Sequence, residues 1–307
     1  MRWIKKGLIF SSKNQPVWSK NSALTPSPIL LGDKIRVYAG FRDDEGVSRI
    51  GFVDLNADCP NEIIGVSDKP VLDIGEPGTF DDNGVILGDV IADGDQIRMY
   101  YVGFQLVKRA KFLAFSGLAI SNDNGNTFER VSNAPILDRS NNQHFIRAIH
   151  TALNDNGTWK IWYAAGNKWE IINGQPFPCY NIYYTESKNG IDFNNPAQFC
   201  VDNIWPEYRI GRPRVYKISD NKYLLFYTKG TIHGDYFPGV ATSTDGINWV
   251  RKDDQLGIEL SNEGWDSETL CYPSLLNYKN KVYMFYNGNK MGADGFGYAE
   301  LDGDLWI

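Results

Sequence analysis

Three observations predict an all-β fold, a five-bladed β-propeller. One strand-turn-strand motif recurs five times, a second turn motif closes three of the repeats, and no segment keeps a helical period. A chain of 307 residues can bury a full core, and the repeats run through all of it, so residues 1–307 read as one propeller domain.

The first repeat has the opening strand Pro26-Ser27-Pro28-Ile29-Leu30, the turn Gly32-Asp33-Lys34 and the strand Ile35 to Gly40. The second has Gly84 to Leu87, Asp93-Gly94-Asp95 and Ile97 to Gly103; the third has His150 to Leu153, Asp155-Asn156-Gly157 and Trp159 to Gly166. The fourth has Arg212 to Tyr216, Ser219-Asp220-Asn221 and Tyr223 to Tyr227; the fifth has Tyr272 to Leu276, Lys279-Asn280-Lys281 and Val282 to Gly288. Second strands rich in Tyr, Trp and Phe suit a pleated, half-buried surface. The closing turns are Ser121 to Phe128, Ser187 to Phe193 and Ser243 to Trp249. Their Asn-Gly and Asp-Gly steps supply the positive φ of tight turns. Phe80 to Asp89 also aligns without gaps on Trp265 to Ser274, so an aromatic-Asp pair enters the first strand in both repeats.

Composition narrows the function. The formal charge of −6 argues against a nucleic-acid protein held by phosphate contacts. The N-terminal apolar run is too short for a secretory core, and no stretch is long enough for a membrane helix. Cys59, Cys179, Cys200 and Cys271 form no CxxC or Cys/His cluster, so free thiols and a cytoplasmic protein are expected. No metal or cofactor motif is present.

In a propeller, the first-strand starts and the loops after the second strands build one mouth, and loops on one face of a rigid scaffold commonly carry binding. The strand starts hold Asp81, Asp82, Arg147, His150, Arg212, Arg214, Asp266 and Glu268, while the loops add Arg42 and several lysines. This mouth is cationic on an acidic body. Arg grips carboxylate or phosphate bidentately, so an anionic small-molecule or oligosaccharide substrate is expected, held by Arg42, Arg147, Arg212 and Arg214. Equally, Arg212 and Arg214 could fill the channel by pairing with Asp81, Asp266 or Glu268. Trp169 and Tyr272 are candidates to stack on a sugar.

The units Asp245 to Trp249, Pro273 to Leu276 with Val282 to Tyr286, and Gly295 to Ala299 resemble the five-bladed propeller glycosidase superfamily of arabinanases, β-xylosidases, invertases and levansucrases. Gly75 to Val85 and Glu263 to Glu268 resemble a branch of it associated with bacterial surface-polysaccharide gene sets. The resemblance implies a glycosidase-like propeller with a catalytic Asp at the start of the first blade. Here that position reads Thr25-Pro26-Ser27-Pro28, and the nearest matches to a second carboxylate are His150 and Arg212. Hydrolysis needs two carboxyl groups flanking the bond. The candidates left are Asp82 and Glu268 as the acid/base pair, with His150 assisting and Asp81 and Asp266 beside them; Asp81 and Asp266 could instead cap backbone N–H groups. The expected function is cleavage or transfer of a glycosyl unit of an acidic, phosphorylated or nucleotide-linked sugar in surface-glycan metabolism. The alternatives are a non-catalytic sugar-binding propeller and a phosphate-dependent glycosidase.

Overall fold

The computed structural model describes residues 1–13 and 15–306. The chain opens with β1 (Trp3–Phe10), followed by an antiparallel meander of β2 (Ala23–Leu31), β3 (Lys34–Arg42), β4 (Ser48–Asn56) and β5 (Ile63–Val66). Next come β6 (Val85–Asp93), β7 (Gln96–Gln105), β8 (Leu113–Ser121) and β9 (Glu129–Arg130). Then follow β10 (Ile146–Asp155), β11 (Thr158–Ile172), β12 (Gln175–Ser187) and β13 (Gln198–Val201). These two meanders join into one sheet where β10 runs parallel to β8, pairing Ile146 with Ala114 and Arg147 with Phe115. A separate meander contains β14 (Glu207–Ser219), β15 (Lys222–Thr231), β16 (Tyr236–Ser243) and β17 (Val250–Arg251). The last comprises β18 (Cys271–Tyr278), β19 (Lys281–Asn287) and β20 (Phe296–Leu301), and β1 returns to pair with β20.

The turns form where the sequence places positive φ. Asn156 (φ 54°) and Gly157 (φ 80°) make the two-residue connection of β10 to β11, a backbone that matches the twist of the flanking strands. Inter-sheet packing then buries the aromatic second strands. Tyr38, Tyr100, Tyr101, Trp162, Tyr163, Phe226, Tyr227, Phe285 and Tyr286 are all fully buried or nearly so. Each such ring contributes about 1.5–3 kcal/mol by leaving water. Separate cores lie between successive meanders; Tyr38 and Ile50 of the first, for example, meet Met99 and Tyr101 of the second. The first strands β2, β6, β10, β14 and β18 contact one another in that order, and β18 contacts β2. No helix among the described residues is long and apolar enough to cross a membrane. All four cysteines are free, as the scattered spacing predicted.

One irregularity is shared by the five first strands. Each gains one residue over its partner, between Leu24 and Ser27, Leu87 and Asp89, Ile149 and Thr151, Gly211 and Arg214, and Cys271 and Ser274. Such bulges re-aim side chains. Three coincide with X-Pro steps, where proline cannot donate to the ladder. The residues before those prolines, Thr25 (φ 55°), Arg212 (φ 57°) and Tyr272 (φ 58°), sit in the left-handed region that non-glycine residues rarely occupy.

Candidate functional site

Four of the five bulges, those of β2, β10, β14 and β18, converge on a cavity of about 460 Å³. Thr25, His150, Arg212 and Tyr272 line it from the first strands, and Arg42 from the end of β3. Phe104 comes from the end of β7 and Phe112 from the β7–β8 connection, Phe177 and Tyr180 from β12, and Arg209 and Tyr236 from the starts of β14 and β16. Lys111 and Met291 also contribute, and Lys111 Nζ lies 5.9 Å from the centre of the Phe177 ring. The cavity lining contains neither Asp nor Glu.

Among the described residues the cations of this cavity have no carboxylate partner. Arg42, Arg209 and Arg212 enter no salt bridge among the described residues, whereas Arg214 pairs with Asp89 at 2.5 Å and Arg251 with Glu207 at 2.7 Å. The Nε atoms of Arg42 and Arg209 are buried with no acceptor. Arg209 lies between rings, 5.0 Å from Tyr208 and 4.6 Å from Tyr236, and Arg212 stands 5.2 Å from Tyr272. Guanidinium groups held among aromatic walls without an anion are incompletely compensated, and an incoming anion supplies what they lack.

Hydrogen bonds set the state of the remaining polar groups. Arg212 donates to the Leu87 carbonyl (2.8 Å) and to Nδ1 of His150 (3.3 Å). Burial, followed by the charges of Arg212 and Arg214, drives the His150 pKa well below its usual value. His150 is therefore neutral, accepts at Nδ1 and carries its proton on Nε2. Tyr236 donates to the Tyr272 hydroxyl at 3.2 Å, and burial raises the Tyr272 pKa to about 12, leaving that phenol a proton to donate. The Thr25 N–H donates to Asn287 Oδ1 at 2.7 Å, while its buried hydroxyl has no partner.

Several predicted site residues lie elsewhere. Asp82 accepts the Gly78 N–H at 2.9 Å and closes a turn, and Glu268 is exposed; neither lines the cavity. Asp81 is fully buried against Arg130 (2.8 Å), and Asp266 is buried against Lys5 (2.7 Å) and the Tyr286 hydroxyl (2.9 Å). Their aromatic neighbours repeat the symmetry, Phe80 stacking on Tyr101 and Trp265 on Tyr286. Asp81 thus holds Arg130, and Asp266 holds Lys5 and the Tyr286 hydroxyl, in place of backbone N–H groups. Arg147 donates to the Asp138 carbonyl and stands over Tyr163; alternation along β10 turns it away while Ile146 and Ala148 face the cavity. Arg214 sits below the cavity, tied to Asp89, Ser274 and the His150 carbonyl, so its partner is none of the acids expected from the sequence. Trp169 packs behind the wall against Phe112 and Phe145. Arg209 and Tyr180 were missed. The overlooked signal was Arg212-Pro213: strict alternation puts Arg209 and Arg212 on opposite faces, and the bulge reverses that. Among the described residues no group of three or more His, Cys, Asp or Glu is placed to hold a metal ion.

No model of a known protein family matches the chain. Over 304 residues it is 30% identical to the uncharacterized protein Rv1502 of Mycobacterium tuberculosis, covering 98% of this chain and 100% of the relative. The chain belongs to the Rv1502 family. A shorter match, 30% identical over 145 residues, joins 45% of this chain to 17% of glucosamine inositolphosphorylceramide transferase 1 of Arabidopsis thaliana. Among solved structures, a thermostable family-43 glycoside hydrolase matches with a TM-score of 0.69 at 16% identity, over 95% of this chain and 93% of that one. The β-1,2-mannobiose phosphorylase of Listeria innocua matches with a TM-score of 0.71 at 12% identity, over 98% and 97%. This chain thus shares its all-β fold with glycoside hydrolase-like proteins, and three arginines enter its cavity.

Proposed function

We propose that this chain is a five-bladed propeller, closed by β1, that binds an acidic, phosphorylated or nucleotide-linked sugar and transfers its glycosyl unit in surface-glycan metabolism. One observation carries the reading: Arg42, Arg209 and Arg212, none with a carboxylate partner, surround a cavity whose lining has no Asp or Glu. Hydrolysis by a carboxyl pair has no pair to use there. A glycosyl phosphate needs less help, because its leaving group departs as a stable anion. The C1–O bond to phosphate breaks with its electrons going to the phosphate oxygen, which the arginines stabilise. An acceptor hydroxyl attacks C1, and its proton passes to the departing phosphate. His150, as a neutral Nε2–H donor, and the Tyr272 hydroxyl orient the sugar. The partial likeness to a protein named as a glucosamine inositolphosphorylceramide transferase supports transfer to or from a phosphate-bearing partner. The four free thiols support a cytoplasmic setting.

Incubation with a panel of sugar 1-phosphates and nucleotide sugars, read by mass spectrometry with and without acceptor sugars, tests this. Conversion that Arg212→Ala abolishes is expected; failure of every anionic sugar to bind rejects the reading. A binding-only role is favoured by the same lack of carboxylates, and tight binding without conversion would establish it. Phosphorolysis, the reverse transfer, appears as conversion of an oligosaccharide only when inorganic phosphate is present.

A further inference from the structure

A second groove, of about 680 Å³, lies on the other face of the β11–β12 ribbon. From Pro178 to Asn181 alternation divides the two sites: Pro178 and Tyr180 face the arginine cavity, while Cys179 and Asn181 face the groove. On β14 the same switch separates Tyr208, which lines the groove, from Arg209, which lines the cavity.

The chemistry of the groove is the opposite of the cavity's. Trp205 is 78% exposed at its edge, whereas Trp3, Trp159 and Trp162 are buried and Trp169 and Trp265 pack on neighbouring rings. An exposed indole offers a flat apolar face to the C–H side of a pyranose. Beside it, Asp202 Oδ1 accepts from Asn181 Nδ2 (3.0 Å) and from the Asn203 N–H (2.8 Å). Asn203 Nδ2 in turn donates to Asn181 Oδ1. This triad is held in place by its own hydrogen bonds, and Asp202, an exposed residue, has no partner for Oδ2 among the described residues. Lys168 is matched by Glu170, so the groove has no cationic excess to attract an anion. Carboxylate and amide oxygens beside an aromatic platform match sugar hydroxyls, which are donors without charge.

We propose that this groove is a second saccharide site, for an uncharged glycan chain, with Trp205 as the stacking platform and Asp202, Asn181 and Asn203 as hydroxyl partners. It rests on the carbohydrate-directed reading of the fold but not on anion binding in the cavity. A protein that handles a charged sugar at one face of a ribbon holds a neutral stretch of glycan at the other.

The test uses the full chain labelled with 5-fluorotryptophan, the Trp205 resonance being assigned with Trp205→Phe. The probes are neutral hexasaccharides of glucose, mannose, galactose and xylose, titrated to millimolar concentration. The expected result is a saturable shift of the Trp205 signal by at least one hexasaccharide, unchanged in Arg212→Ala. That binding weakens about tenfold or more in Trp205→Ala and in Asp202→Ala, each checked for an unchanged unfolding midpoint. The proposal is overturned if no hexasaccharide moves the resonance, or if Trp205→Ala binds as well as the native chain. Failure of anionic sugars to bind in the cavity is read separately, by titrating them into Trp205→Ala, and rejects the transferase reading without touching this one.

Discussion

Arg212 Nη1 donates to His150 Nδ1 across 3.3 Å, and this contact fixes which proton the imidazole lacks. A guanidinium only donates, so Nδ1 must be bare and the ring neutral. Burial and the charges of Arg212 and Arg214 hold the folded pKa well below the unfolded value. At acid pH the unfolded chain then binds a proton at this residue that the folded chain does not, so the site's stability falls as pH drops through about 6.5 and is regained as pH rises above it. Urea midpoints measured from about pH 5 to about pH 7.5 should climb for the native chain and climb less for His150→Gln.

Substitutions of the two neighbouring arginines should have different consequences. Arg212 lines the cavity with no carboxylate partner among the described residues, so Arg212→Ala should weaken binding of a glycosyl phosphate by about 10- to 100-fold and cost only about 1–3 kcal/mol of stability, for the acceptors it leaves unpaired. Arg214 neutralises Asp89, whose pKa burial raises and the arginine lowers. Arg214→Ala strands that carboxylate and should cost about 3–5 kcal/mol of stability. Calorimetric titration alongside chemical denaturation separates the two.

Thr25 stands at the position where the sequence resemblance to propeller glycosidases leads one to expect a carboxylate. Its left-handed backbone (φ 55°) is held by Asn287, which also donates to the carbonyls of Ala23 (2.7 Å) and Gly295 (2.8 Å). Asp and Asn both tolerate that backbone better than Thr does. Thr25→Asp should therefore fold, supply the arginines with an internal counter-charge and reduce anion affinity at least about tenfold. Thr25→Asn, the same shape without the charge, should stay within about threefold. Equal losses in both variants would assign the effect to shape.

The repeat, its turns and its strand starts were legible because each is a local pattern: Asp155-Asn156-Gly157, Ser243-Thr244-Asp245-Gly246 and the aromatic-rich second strands. The role of β1 was not. Its pairing with β20 joins residues about 290 apart, and nothing local in Trp3–Phe10 names a partner. The site was legible in its charge and partly in its residues. Arg42, His150, Arg212 and Tyr272 line the cavity, while Arg147, Asp82 and Glu268 do not. One inserted residue per first strand decides which side chains turn inward, and simple alternation cannot count it.

Asp82→Asn and Glu268→Gln test what remains of the carboxylate pair. Asp82 closes the turn at Gly78 and Glu268 is exposed, so each variant should keep anion affinity within about threefold. Asp266→Asn should act on stability instead, because it removes the charge buried against Lys5. Complete loss of conversion in Asp82→Asn or Glu268→Gln, with binding intact, would return those carboxylates to the chemistry.

The closing turns hold adjacent meanders together as well as ending their own. Tyr38 on β3 donates to the Gly125 carbonyl of the next meander (2.8 Å), Tyr100 on β7 to that of Gly190 (3.0 Å) and Trp162 on β11 to that of Gly246 (2.7 Å). Gly125 needs glycine twice over. Its φ is 79°, and a Cβ there would lie 1.9 Å from the Tyr38 hydroxyl oxygen. Gly125→Ala should cost about 1–2 kcal/mol for the backbone and about as much again for the displaced hydrogen bond. Tyr38→Phe alone leaves a buried carbonyl unpaired, at about 1–3 kcal/mol. The double variant removes the hydroxyl that the new methyl meets, so its loss should be smaller than the sum of the two. Denaturant unfolding of all four proteins measures the coupling, and strict additivity would mean that the contact does not join the meanders.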